Sequence, residues 1–465
     1  MNARFFFLLA YSFLQAGVCF PQTLKMAPMF SDHMILQQQM PVPVYGTSAA
    51  REKVTVSFAG KKYRTTADGE GKWKVMLSPQ KATFEGRTMT VSSGNGKIEL
   101  SDIVVGEIWV AAGQSNMEYT MKLRPTFQKP YKGDDLQAEE LGKPENPKIR
   151  VYKCNRKGGS KWERASGESL AMISAPGYFC VKNLQDSLSV PVGVISNAVG
   201  GTIVESWQKD ANWYNNMVAA YVPFAVRGFL WFQGENNCAK AERDYVAKFR
   251  KMANQWREEF GVADAPFCTV MLSPHIYSDR KHRGGYVDAH ELPRFRQQQM
   301  QCIDSVSNTE IIFCPDLVDD LFDIHHSYKW EVGRRLALLA LNRTYGRRDI
   351  EWSGPRADRA TLLREKKGES VTVHFSHTAK GLYKQPEELE LKSGSNIRWF
   401  EVAGDDGIWY SAIAHVIDKE NVKVYCYGVA HPRQIRYLWH ETATSSDLRN
   451  SDGLPAFPFM MQVEQ

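Results

Sequence analysis

The sequence predicts an α/β fold, a central domain of parallel strands and helices flanked by small β-domains. Three observations predict it. Short alternating runs with Gly and Asp turns fill residues 21–103. Continuous apolar runs then alternate with helix-spaced segments over residues 104–350. Short strand-like runs return over residues 351–465. A chain of 465 residues also exceeds what one ordinary hydrophobic core holds, so two or three domains are expected.

The first element is not part of the fold. Arg4 is followed by the apolar stretch Phe5 to Leu14 and by the small residues Ala16 and Gly17. This order reads as a secretory signal peptide over residues 1–20. Export to the exterior or the periplasm is therefore expected. Cys19 follows Val18, where a lipid-attachment signal wants a small residue. In the N-terminal β-domain, Val54 to Ala59 alternates apolar and polar side chains. Lys61 to Thr66 follows the Gly60 turn, and Trp73 to Leu77 alternates again after Gly69 and Gly71. In the middle, Glu107 to Ala112, Val192 to Ile195 and Gly228 to Phe232 read as buried parallel strands. Ala239 to Phe260 reads as a helix, with Tyr245, Phe249, Met252 and Trp256 spaced by three and four, and so does Trp330 to Leu341. Strands are expected again at Ser370 to Phe375, Ile397 to Val402, Asn421 to Tyr427 and Gln434 to Trp439.

Composition excludes several functions. A net charge of +6 spread over this length, with no like-charged block, leaves no nucleic-acid footprint. After the leader no run of ~18 apolar residues occurs, so no membrane span is expected. The cysteines beyond Cys19 are scattered, with no CxxC or zinc-type spacing, and no metal or other cofactor is expected.

The strongest chemical signal is Gly113-Gln114-Ser115-Asn116, directly after the apolar run that begins at Glu107. Ligands bind at the carboxyl ends of strands in open α/β sheets. A serine there, after a glycine that permits a sharp turn, is placed to attack a substrate. A serine capping a helix accounts for the same residues if they are taken alone.

The wider context resembles the sialate O-acetylesterase family of the SGNH-hydrolase superfamily. Pro28 to Gln37, Val105 to Glu118, Asn197 to Thr202 and Trp231 to Glu235 are similar to that family's blocks in order. So are Asp323 to His325 with Lys329, Val332 to Leu336, Phe400 to Gly407 and Asp452 to Ala456. The resemblance implies a three-layer, flavodoxin-like catalytic domain and a serine esterase that removes O-acetyl groups from sugars, sialate first among them. It implies Ser115 as nucleophile. It implies an oxyanion hole of the Ser115 N–H, an N–H of Gly200 or Gly201, and a side-chain amide, which here is Gln233. The family's Asp-Ile-His-Pro form places the base at His325. Position 326 is a histidine instead of the proline, and the superfamily spacing Asp-x-x-His selects His326. The reading adopted is His325, with Asp323 orienting it; Asp319, Asp320 or a backbone carbonyl are alternative partners.

The expected partner is an O-acetylated carbohydrate. Acetylated xylan or pectin uses the same machinery, and a non-catalytic carbohydrate-binding protein is the alternative of another class. A sialate carboxylate suits an arginine, and Arg283, Arg294 and Arg296 precede the histidine block. Trp207 and Trp213 could stack on a sugar or pack in the core.

Overall fold

The computed structural model describes residues 23–122, 133, 135–155, 160–279, 281–282, 285–365, 368–384, 396–425, 427–444 and 447–465. The leader with Cys19, Arg283 and Cys426 lie outside the described residues.

The central sheet is built from β1 (Gly96–Gly113), β2 (Asn146–Lys153), β3 (Trp162–Ala165), β4 (Val192–Ala198), β5 (Gly228–Phe232), β6 (Phe267–Val270) and β7 (Thr309–Ile312). Its order is β3-β2-β4-β1-β5-β6-β7. All are parallel except the edge strand β3, which runs against β2. Every residue of β1 from Ile103 to Gly113 is buried, because helices cover both faces. Period-2 alternation divides them. Ile108, Val110 and Ala112 join one core with Tyr245, Phe249, Met252 and Trp256 of helix α3, defined below. Trp109 and Ala111 join the other with Tyr178, Val181, Leu336 and Leu339.

The helices are α1 (Ser115–Glu118), α2 (Ala175–Leu188), α3 (Tyr245–Phe260), α4 (Glu291–Ser305) and α5 (Lys329–Arg343), besides shorter turns. With α3 and α4 on one face and α2 and α5 on the other, the unit has three layers. Gly333 lets α5 cross α2 closely, since a Cβ there would sit 2.6 Å from Phe179 Cβ. After β1 the chain moves to one side of it, and from β5 onward to the other. The crevice above β1 is thus a topological switch point, where open α/β sheets bind ligands.

The sheet does not stop at the expected boundary between residues 103 and 104. The outer half of β1 pairs with Thr83–Ser93, which pairs with Lys53–Phe58 and through it Lys61–Thr66. One 18-residue strand therefore belongs to both regions, and the boundary falls inside it. A buried carboxylate fastens the junction. Glu107 accepts from Gln37 (3.1 Å), Gln38 (2.7 Å), Arg227 (2.6 and 3.0 Å) and Tyr345 (3.0 Å). Such a carboxylate is tolerated in the interior because every neighbour donates to it.

C-terminal to α5 lie two four-stranded antiparallel sheets. One contains Arg356–Glu365, Gly368–Ser376, Asn421–Tyr425 and Ile413–Val416; the other Trp409–Ser411, Phe400–Ala403, Gln434–Tyr437 and Phe459–Gln462. Their core includes Met271, Ile311 and Phe313 from the ends of β6 and β7. This region also braces loops of the central unit. Glu441 accepts from the N–H groups of Tyr277 (2.7 Å) and Ser278 (3.1 Å) through its carboxylate and from His275 N–H (3.2 Å) through its carbonyl. Among the described residues no helix is long and apolar enough to cross a membrane. The six described cysteines are buried, unpaired thiols.

The expected helix from Ala239 begins instead at Tyr245. Residues 235–238 form a separate short turn, and Ala241 takes a left-handed φ of +53°, which breaks the helix.

Candidate active site

The turn after β1 is set by one glycine. Gly113 has φ +137°, and a Cβ on it would lie 2.1 Å from Phe232 O, so only glycine allows β1 and β5 to end side by side. Gln114 N–H donates to Phe232 O (3.0 Å). Ser115 is then the first residue of α1, half-exposed at the mouth of the switch-point crevice. At that position its N–H has no acceptor within the helix.

The turn after β4 lies against the serine. A Cβ on Gly200 would be 3.4 Å from Ser115 Cβ. Gly200 N–H donates to the Glu118 carboxylate (2.7 Å), and Gly201 has φ +72°. Gly201 O accepts from the Asn236 side-chain amide, which places Asn236 at this turn. Sequence reading missed Asn236; its amide lies three residues beyond the one chosen.

The structure engages the expected oxyanion donor Gln233 inside the protein. Its side chain is fully buried, and Nε2 donates to Gln114 Oε1 (3.1 Å), Thr202 O (3.1 Å) and Asn237 Oδ1 (2.8 Å). Three acceptors exhaust two protons, so both donors of this amide are taken up within the protein. It ties together the turns after β1, β4 and β5. Gln233→Ala is accordingly expected to cost about 1–3 kcal/mol of stability, by stranding buried acceptors. Denaturant unfolding checks this; an unchanged midpoint with lost activity would favour a direct catalytic role.

Asp323 and His325 lie on the segment before α5. His325 Nδ1 is 3.6 Å from Asp323 Oδ1, and the same oxygen accepts the His325 backbone N–H (2.8 Å). Burial raises the Asp323 carboxyl, but the His325 contacts and the Lys329 charge outweigh it and hold the pKa below the ordinary value. His326 points elsewhere. It is buried, 6.2 Å from the Phe232 ring, and neither ring nitrogen has a hydrogen-bond partner among the described residues. Burial, together with the Lys329 and His325 charges, pushes its pKa well down, so it stays neutral.

The nucleophile turn and the histidine segment are joined directly. Asn116, next to Ser115, donates from Nδ2 to the carbonyl of Ile324, next to His325 (3.0 Å). The same Nδ2 donates to Glu235 Oε1 (2.5 Å), so Glu235 acts on the Ser115 turn. Sequence reading missed Asn116, which the motif displays, because its role depends on segments more than a hundred residues away.

The binding candidates separate. Arg296 is fully buried, over the Phe313 ring, with Nε on Leu272 O (2.9 Å). Arg294 pairs with Asp288 (2.9 Å) and Glu291 (3.4 Å). Trp207 is a core residue packed against Trp231 and Trp256, and Trp213 stacks on it. Phe322, next to Asp323 in the chain, is 67% exposed. Among the described residues no three His, Cys, Asp or Glu side chains cluster as metal ligands.

Comparison with known proteins gives the class. Residues 105–342, more than half the chain, match the family described as carbohydrate esterase, sialic acid-specific acetylesterase. The chain is a carbohydrate esterase, and it belongs to that family. It is 23% identical to human sialate O-acetylesterase over 97% of this chain and 94% of the relative. It is 22% identical to a probable carbohydrate esterase of Arabidopsis thaliana, over 44% of this chain and 80% of that one. Among solved structures, a carbohydrate acetylesterase from Xanthomonas citri superposes with a TM-score of 0.81 at 28% identity, covering 95% of this chain and 99% of that one.

Proposed function

We propose that the protein is an exported serine esterase of the SGNH type that removes O-acetyl groups from sialate. Ser115 Oγ attacks the acetyl carbonyl while His325 takes its proton, and Asp323 orients the ring and stabilises its cation. The oxyanion rests on the Ser115 N–H and an N–H of the Gly200–Gly201 turn. His325 then protonates the leaving sugar hydroxyl. Water, with the same histidine as base, hydrolyses the acetyl-enzyme. The observation that carries this reading is the Asn116–Ile324 hydrogen bond, which brings the residues beside Ser115 and His325 into contact.

A second reading has its own support. Arg296 is fully buried, and Arg294 already pairs through Nη1 with Asp288 and Glu291. That favours an O-acetylated neutral polysaccharide such as xylan, with the exposed Phe322 as a stacking surface. Acetate release from acetylated sialate, xylan and pectin by the purified protein separates the two. Sialate as the best substrate supports the proposal; turnover confined to xylan or pectin supports the second reading. Release from none of them supports a non-catalytic binding protein. Export is part of the proposal, with a mature N-terminus near Phe20. Mass spectrometry of protein from the native host tests it, and a retained Met1 contradicts it.

A further inference from the structure

We infer that Asn116, Lys329 and Glu235 form a buried charged strut that fixes Ser115 relative to His325, with Lys329 and Glu235 as positioning residues. The inference rests on the esterase reading above. Lys329 has no exposed surface, and its Nζ donates to Asn116 Oδ1 (2.6 Å). The other end of that amide donates to Glu235 Oε1 (2.5 Å) and Ile324 O (3.0 Å). One side-chain amide thus links the nucleophile turn, the turn after β5 and the histidine segment. The ammonium lies over the Tyr119 ring at 5.0 Å and the Phe232 ring at 5.4 Å.

An ammonium and a carboxylate placed fully inside a protein are costly, and hydrophobic residues of similar size often serve stability as well or better. Fold stability alone therefore does not account for them. Their arrangement does something an apolar pair cannot, since opposite charges hold Asn116 from its two ends in one orientation. Ser115 is the next residue along the chain. A displacement of about 1 Å at a reacting group can cost on the order of a hundredfold in rate.

The titratable groups facing Lys329 are Glu235 from the turn after β5, Asp323 and the neutral His326 from the histidine segment, on which His325 also lies, and the Cys314 thiol, kept protonated by burial, from the end of β7. Tyr119, which follows α1, is pushed far toward its neutral form by burial. Burial pulls the Lys329 pKa down to about 7, against the charges of Glu235 and Asp323, which hold it up. Burial also raises the Glu235 carboxyl, against the Asn116 bond and the charges of His325 and Lys329. The geometry of the strut then predicts that, as pH rises past neutrality and the ammonium loses its proton, its pull on Asn116 Oδ1 weakens and the esterase rate falls.

The test is kcat and KM of the full-length protein on an aryl acetate across pH. Lys329→Met is expected to lose about a hundredfold in kcat with little change in KM, and to lose the alkaline fall in rate. Glu235→Gln removes a negative charge beside the ammonium, so the alkaline limb should move to lower pH. If Lys329→Met does not fold, the direction of the Glu235→Gln shift decides alone. A Lys329→Met enzyme with wild-type kcat, or with the alkaline limb intact, overturns the strut. So does a Glu235→Gln limb that stays in place or moves up. Ser115→Ala is measured alongside. If it keeps full activity the esterase reading itself has failed. If it is inactive while Lys329→Met and Glu235→Gln behave as wild type, only the strut has failed.

Discussion

Ser115→Ala is expected to lose roughly 10⁵–10⁶-fold in kcat on an aryl acetate, with the fold intact. The hydroxyl is half-exposed at the first position of a helical turn, so its removal leaves no buried cavity and strands no buried partner. The Gly113 turn, the Gln114 anchors to Phe232, Gln233 and Gly234, and the Asn116 bond to Ile324 all survive the change. What is lost, on the proposed mechanism, is the atom that forms the acetyl-enzyme. The residual rate is what the remaining binding and oxyanion donors give on their own. Near-identical unfolding curves for the two proteins check that the loss is chemical.

The second large effect separates two adjacent histidines. His325→Ala should cost roughly 10⁴–10⁶-fold in kcat, because a serine hydroxyl without a base is a poor nucleophile at neutral pH. His326→Ala should leave most of the rate while lowering stability. Its ring is buried against Phe232 and kept neutral, so its deletion opens a cavity rather than removing a proton carrier. Steady-state kinetics with thermal unfolding reads both. The opposite pattern moves the base by one residue and leaves the esterase reading standing. Asp323→Asn should fall between them. Its Oδ1 is 3.6 Å from His325 Nδ1 and already holds the backbone N–H, so its hold on the ring is weaker than a short hydrogen bond.

The catalytic layer of the fold was legible where periodicity was clean. Gly228–Phe232 matches the apolar run residue for residue, and α5 extends the expected helix by only a few residues. Strands β6 and β7 and helix α4 were not. Phe267–Val270 and Thr309–Ile312 are four residues each, too short to show a period. The α4 sequence hides its buried face behind Arg296, Gln298 and Gln299, whose polar ends find backbone partners inside. The expected boundary at 103/104 falls inside one strand that serves two regions, since a change of composition does not mark a change of sheet. In the proposed site, the motifs name Ser115, the Gly200–Gly201 turn and Asp323–His325 as candidates, and the fold brings their segments together. The direction of the Gln233 amide is not legible in the motifs, since that depends on Gln114, Thr202 and Asn237 closing around it. For the same reason Lys329 read as a family match without a role. Its burial and its bond to Asn116 exist only once α5 has docked.

The most direct test of the central claim is to trap the acyl-enzyme. The protein is mixed with an aryl acetate, quenched in acid within the first turnover, digested and read by mass spectrometry. The account predicts one acetyl group, on Ser115, that forms before steady state and disappears as substrate is exhausted. An acetyl group that accumulates on another residue, or steady hydrolysis with Ser115 never labelled and Ser115→Ala fully active, would contradict it.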